Sequence, residues 1–525
     1  MKRIILLAWL FAASTGLKGG ILPVIESERV TLEYVARKAE ERARKPFVSP
    51  RADLPEALRT LTYDTYRDIV FRREKALWSD SKSPFLVEFF HPGYIYQEPV
   101  RCYEFTLTHV QQIRFVQDFF DYRHSATPLK VPTDTGYAGI RLLYQLNQTN
   151  TWDELGAFLG ASYFRLLGSG QTYGPSARGL ALDCGGTDRP EEFPVWTDWW
   201  LGKPQPNDKV LQLYAILDSV SCAGAYSFVI RPGSPGNQPT TAVKIEAIVY
   251  FRDPALVHAV SPDRKPLDTI GLAPLTSMFW FGPNTERKFD DYRPAVHDSD
   301  GLLMRMEGGQ MIWRPLDDGP VMRHQKFAAR HIGGFGLLQR NRDFRDYQDL
   351  FNSYQSVPTV WVEPEGTNWD NGEVHLVELS SQYEGLDNIV AFWNPAAKPA
   401  PLQPYRFAYN LYWTRETDMS LSTNKAVATR VGLDPADPRR RLFVIDFDIP
   451  SLVSEANPPK AETSCSENAL LANTDLFWNG EAKTWRVILK MLPKEGNKEP
   501  VDLRCTLKKG NDAISETWSY LWSPP

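Results

Sequence analysis

The chain has 525 residues, enough for two or three domains with full cores, and a formal net charge of −5. That balance argues against a nucleic-acid partner, which needs a basic face. Its 16 Trp, 22 Tyr and 27 Phe serve either large β-sheet cores or platforms on which sugar rings stack, and its 40 prolines and 34 glycines call for many turns and hence many short strands.

The N-terminus reads Met1-Lys2-Arg3, then an apolar run to Ala13, then Ser14, Thr15 and Gly16. This is a charged head, a short apolar stretch and a small-residue exit, so 1–20 is read as a signal peptide cleaved somewhere in 14–22. The run is too short to span a bilayer; its alternative is a buried N-terminal strand. No later segment is apolar enough to cross a membrane, so the mature chain is expected to have no transmembrane segment. Apolar spacing predicts a helix from Val30 to about Arg44, a second helix start at 53–58 with Pro55 in its first turn, and a helical segment over 152–159. From about residue 65 the pattern is mostly that of strands, for example over Phe85–Phe90 and 244–251. Four prolines within 394–404 predict an extended spacer. Beyond it, strands over 405–414, 441–447, 484–491 and 501–507 have the rhythm of an immunoglobulin-like sandwich. The expected organisation is all-β: a signal peptide over 1–20, a large domain over 21–394, a linker over 395–404 and a small domain over 405–525.

Cofactor motifs are missing. No Gly-Lys-Ser/Thr loop, no dinucleotide fingerprint and no Gly-x-Ser-x-Gly elbow occurs, and the eight histidines do not cluster. Five scattered cysteines lack metal-ligand spacing, so neither a metal nor a cofactor is expected. Cys465 and Cys505 form one disulfide or remain single buried thiols. Arg340, Arg342 and Asp343 form a structural ion-pair network or line a groove.

Two acid-bearing segments stand out. One runs from Asp291 through Tyr292, Arg293, His297, Asp298 and Asp300 to Leu302; the other runs from Glu384 through Asp387 and Asn388 to Trp393. Each sets a carboxylate at the edge of a strand-like, aromatic-rich stretch. Paired carboxylates in an aromatic setting suit glycosidic bond chemistry, in which one acid protonates the leaving oxygen and the other activates water or attacks carbon. An inverting pair stands roughly 6.5–9.5 Å apart and a retaining pair about 5 Å. His297 either orients Asp298 or does nothing.

Together with the stretches around 160–165, 174–180, 275–284, 313–316, 334–344, 192–194, 362–364 and 515–520, these segments resemble the periplasmic glucans biosynthesis G and D family, in order and over nearly the whole mature chain. The resemblance implies a large galactose-mutarotase-like sandwich followed by a small immunoglobulin-like one. It also implies a periplasmic role in making osmoregulated glucans with β-1,2-linked backbones, by inverting endo-cleavage or by transfer. Asp387 matches the family's general acid and Asp298 the carboxylate that receives the proton through a water relay. Glu384, Tyr292, Arg293, Trp313 and Arg314 would hold the sugar. The implied partners are a β-glucan and an inner-membrane glucan synthase. The rival role is a non-catalytic glucan-binding scaffold for that synthase; a mutarotase-type reading rests on fold analogy and lacks a paired histidine. Against the family, the turn after Pro364 is about one residue longer. Position 300 is Asp where Asn is common, a like charge that would raise a pKa if its side chain converged with that of Asp298.

Overall fold

Alternating apolar residues, interrupted every few positions by Gly, Pro or Asn, put most of this chain into strands; the protein is all-β. The computed structural model describes residues 21–24, 29–123, 131–186, 188–236, 238–285, 289–452 and 457–524. The segment read as a signal peptide, 1–20, lies outside them. Among the described residues no helix is long and apolar enough to cross a membrane.

Two sheets form the large sandwich. The first is antiparallel throughout and runs Phe85–Phe90, Gly139–Tyr144, Asp153–Leu159, Tyr163–Leu166, Ser176–Arg178, Ile270–Ser277, Ile389–Pro395, Asp370–Glu378 and the first half of Arg323–Leu338. The second centres on Val195–Gly202, Leu211–Asp218, Cys222–Arg231, Thr241–Phe251, Pro404–Thr414 and Thr359–Glu365. The 16-residue strand Arg323–Leu338 belongs to both, since its second half pairs with Thr359–Glu365 and Gly301–Met306. Trp199, Phe158, Phe164, Phe228, Trp393 and Trp413 fill the space between the sheets. Most of the aromatic content is therefore core.

The expected helix is present at Leu32–Ala43, with the Thr31 hydroxyl accepting the Tyr34 N–H at 3.2 Å as its N-cap. It lays Tyr34, Val35, Ala36 and Ala39 on Trp200, Ile216 and Ile248 of the second sheet. The start near Pro55 yields a single turn, Glu56–Arg59. The helix expected over 152–159 is instead the strand Asp153–Leu159. Its partner register jumps so that Leu155 is an extra residue, and this bulge brings Leu155 and Phe158 to the interior at a spacing that imitates a helix.

The proline-rich stretch is not a link between domains. It carries the chain from Ile389–Pro395 in the first sheet to Pro404–Thr414, which is hydrogen-bonded on both edges within the second. Proline cannot donate to a ladder, so the stretch serves to cross between layers. The strand 405–414, expected to open the small domain, thus closes the large one. The small sandwich follows. A four-stranded sheet (Lys425–Leu433, Arg441–Asp448, Thr484–Pro493, Ala469–Asn479) packs on Lys460–Cys465, Val501–Lys509 and Thr517–Trp522. Thr517–Trp522 pairs in parallel with Met311–Pro315, so the small sandwich continues the second sheet. Cys465 and Cys505 are both free. Register sets Cys505 opposite Thr463, two residues from Cys465, too far along the strand to bridge.

Candidate functional site

Asp298 follows a short strand, and Asp387 lies on a loop that packs beside it. The segment Val296–His297 pairs with Phe279–Phe281, and the Asp298 N–H donates to the Met278 carbonyl at 2.8 Å. Beside it the Ser277 hydroxyl donates to Ser299 at 2.8 Å. Asp387 sits on the loop between Asp370–Glu378 and Ile389–Pro395. The neck of that loop is closed by Leu379 N–H donating to Asn388 O at 2.8 Å. Its tip is fastened through Glu384, whose Oε2 accepts from Arg293 at 2.6 Å and from the Tyr354 hydroxyl at 3.1 Å.

The carboxyls feel one another. Asp298, partly buried, is pushed up to about 8, first by loss of water, then by the carboxylates of Asp387 and Glu384, with Arg165 pulling the other way. Asp387 is raised by the same loss of water, opposed by Arg165 and Arg178. Its side chain is nonetheless solvent-exposed. Tyr354 is raised by burial and then by Asp298 and Glu384, which sets its hydroxyl close to both acids.

His297 does not orient Asp298. Its buried ring stacks on Phe279 at 5.2 Å, and its Nδ1 is 2.9 Å from Gln339 Oε1, so the ring donates there. Burial lowers it to about 4, which keeps it neutral. The feared convergence of Asp300 with Asp298 is also absent from the geometry. Asp300 accepts backbone N–H groups from Arg340 and Asn341 at 3.0–3.1 Å and fixes that turn.

The remaining residues of the sequence reading divide. Glu384 and Arg293 meet in the acid cluster, but Arg293 is occupied by Asp291 (2.7 Å), Asp349 (2.8 Å) and Glu384, and so acts as an anchor. Tyr292 is 75% exposed, with the Arg293 guanidinium over its ring at 5.9 Å. Trp313 and Arg314 lie elsewhere. Trp313 is buried in the shared core with the small sandwich, against Gly301, where any Cβ would strike its ring. Arg314, fully buried, donates to Gln325 and Glu378 at 2.9 Å. Arg340 covers Trp313 at 3.7 Å and bonds Glu516 (2.6 Å) and Glu416 (3.0 Å), the structural ion-pair role.

Sequence reasoning missed Arg165, Arg178, Tyr163 and Tyr354. Arg178 is buried, donates to Glu191 at 2.6 Å, and sits beneath Tyr163 (5.2 Å) and Phe193 (5.6 Å). The first three lie in stretches that carried the family resemblance, but no local spacing gave them a role. Several exposed apolar side chains belong to the same segments as these charged groups: Tyr173, Phe193, Tyr292, Phe351 and Tyr383. Tyr173 packs under Arg165 at 5.1 Å. Such rings offer flat faces to sugar C–H groups.

Comparison with known proteins agrees. The model of the family described as "Periplasmic glucan biosynthesis protein, MdoG" matches residues 31–522. The chain is 37% identical to the glucans biosynthesis protein G of Serratia proteamaculans, over 93% of this chain and 92% of the relative. It is also 37% identical to that of Sodalis glossinidius (95% and 94%) and to that of Pseudomonas putida (89% and 79%). The chain belongs to the periplasmic glucan biosynthesis family.

Proposed function

We propose that the protein works in the periplasm on β-1,2-linked glucan backbones, as an inverting endo-glucanase or a transglycosylase, with Asp387 and Asp298 as its acid–base pair. The observation that carries this reading is that Asp298 is raised by loss of water and then by the neighbouring Asp387 carboxylate. Glycosidic cleavage by inversion needs one carboxyl that holds a proton and one that does not. Two carboxyls that repel hold one proton between them at a pH where isolated ones would have lost both. With Asp298 raised to about 8, the pair keeps a proton at neutral pH.

In the free protein that proton rests on Asp298. A sugar lying over exposed Asp387 removes its remaining water and raises it further, so the proton passes to Asp387. Asp387 then protonates the glycosidic oxygen as the C–O bond breaks. Asp298, left ionised, takes a proton from the water that attacks the anomeric carbon, directly or through a relay. In transfer, a sugar hydroxyl replaces the water. Tyr292 and Glu384 are assigned to hold sugar, joined by Arg165 and Tyr163. Trp313 and Arg314, being buried, are not. Arg293 positions Glu384.

The test is incubation of the purified protein with linear β-1,2-glucan, following new reducing ends and product anomers by NMR. Cleavage with inversion, or longer products by transfer, is expected. Tight binding with neither would overturn the reading and leave a scaffold for an inner-membrane synthase. Export is checked separately: a chain lacking residues 1–20 should stay in the cytoplasm and fail to restore periplasmic glucans.

A further inference from the structure

Both acids are tied to the same dipeptide, Met278-Phe279. Asp298 is tied by its own N–H to the Met278 carbonyl. Asp387 is tied through its neighbour, Asn388, whose side chain is completely buried. The Phe279 N–H donates to Asn388 Oδ1 at 2.9 Å, and Asn388 Nδ2 donates to the Phe279 and Leu379 carbonyls, each at 2.9 Å. The side-chain amide thus pairs with Phe279 as a strand residue would, offering one acceptor and both donors. Its backbone carbonyl closes the loop neck on Leu379. From the other edge, Phe279 pairs with His297, the residue before Asp298.

We infer that Asn388 is a positioning residue: its amide sets the separation and facing of Asp387 and Asp298 by clamping the acid loop to the strand that carries the second acid. The inference rests on the reading of these acids as a working pair. The requirement is chemical, not only spatial. A carboxylate of the same shape cannot donate to two carbonyls, and a shorter side chain cannot reach Phe279. Asp387 lies on an exposed loop with no regular backbone pairing of its own, and apart from this clamp the loop is tied by the Leu379–Asn388 backbone bond, by Ser381 N–H on Asp318 at 3.0 Å and at the Glu384 tip, none of which reaches the strand of Asp298. A shift of about 1 Å between reacting groups costs on the order of 10²-fold in rate.

The test uses the full chain with Asn388→Asp and Asn388→Ser, and linear β-1,2-glucan as the probe. On the positioning account kcat falls about 10²-fold while KM moves less than about threefold, because buried Asn388 meets no glucan and Glu384 keeps its own ties to Arg293 and Tyr354. In parallel, ¹³C-NMR titration of the aspartate carboxyls should show the Asp298 midpoint displaced in Asn388→Ser, since Asp387 no longer sits at its set distance. A loop staple with no bearing on the pair would leave that midpoint unmoved. Wild-type kcat with an unmoved midpoint, or a rise in KM alone, overturns the inference. If wild-type protein does not act on the glucan, the proposed function fails, and the titration still decides whether Asn388 spaces the acids. If both variants fail to fold, amide exchange of Phe279 in the unaltered chain decides. Protection like that of core strands supports the clamp, and exchange as fast as Gly385 removes it.

Discussion

The strand Asp370–Glu378 begins at one aspartate and leads into the loop that carries another, and the two ends provide opposite surroundings. At its start, Asp370 follows the lengthened turn, exposed, with His331 Nδ1 at 2.7 Å. At its finish, the loop 379–388 carries Asp387, which is near enough to Asp298, Arg165 and Arg178 for charge to act between them. The ends are separated by eight residue steps, roughly 26 Å of strand. One loop is clamped at its neck by Asn388 and at its tip by Arg293 and Tyr354; the other turns through Gly366 and Asn368 at positive φ and is pinned by Asn368 and Trp369 donating to the Arg406 and Ala408 carbonyls. The same side chain is a surface hydrogen-bond partner of His331 at one end and, on the proposed function, one of a pair of working acids at the other. Surroundings, not residue type, decide which aspartate can do chemistry.

The largest expected effect breaks the acid end. Asp387→Asn keeps size and hydrogen bonding but cannot release a proton, so turnover on β-1,2-glucan should fall at least about 10²-fold with glucan binding retained. If activity survives Asp387→Asn and vanishes in Asp370→Asn, the two ends have been read the wrong way round. Asp298→Asn should fall comparably and also change stability with a definite sign. A carboxyl raised from its unfolded value to about 8 binds its proton more tightly in the folded state. Its contribution is full below the unfolded carboxylate range, near pH 4, and is lost as pH rises toward 8. Asn at this position never ionises. The variant should therefore melt with the wild type at about pH 3.5, below the unfolded carboxylate range, and above it at about pH 9, read by calorimetry at both pH values; equal melting at the higher pH would contradict the raised Asp298.

A smaller effect comes from the anchor. Arg293 is buried and shared by Asp291, Asp349 and Glu384. Arg293→Met leaves those acids without their cation, and removing one partner of a buried ion pair costs about 3 kcal/mol. Loop amides at 382–386 should then exchange faster, while those of the turn 366–369 at the opposite end stay as they were. Equal acceleration at both ends would mean that Arg293 holds the whole strand, not the acid loop.

Much of this was legible in the sequence. Long alternating runs gave the strands, and the apolar spacing of Val30, Leu32, Val35 and Ala36 gave the helix. The two acid segments were recognisable because the residues that matter are adjacent in sequence to the strands that carry them. What escaped has a common cause. The bulge at Leu155 altered the period of one strand, and the prolines of 395–404 mark a turn between layers as readily as a linker between domains. Trp313 and Arg314 look like sugar ligands by type, yet a buried pocket formed by Thr517–Trp522, some 200 residues on, encloses them. Arg165, Arg178 and Tyr354 reach the acids only through sheet order, which local spacing does not encode.

The smallest expected effect lies at the quiet end of the strand. Asp370 and His331 are each more than half exposed, so their pair is screened by solvent and its loss is worth little. Asp370→Asn should shift the melting midpoint by about 1 °C or less in a protein of this size. Turnover should stay within about twofold of wild type, because nothing at that end touches the proton shared by Asp298 and Asp387. The informative measurement is the pair of single variants with the double, Asp370→Asn with Asp387→Asn. Sites this far apart, without shared partners, should contribute independently to both activity and stability. A double variant that departs from the sum of the singles would show that the strand transmits strain between its ends, and the contrast between them would then be one of degree, not of kind.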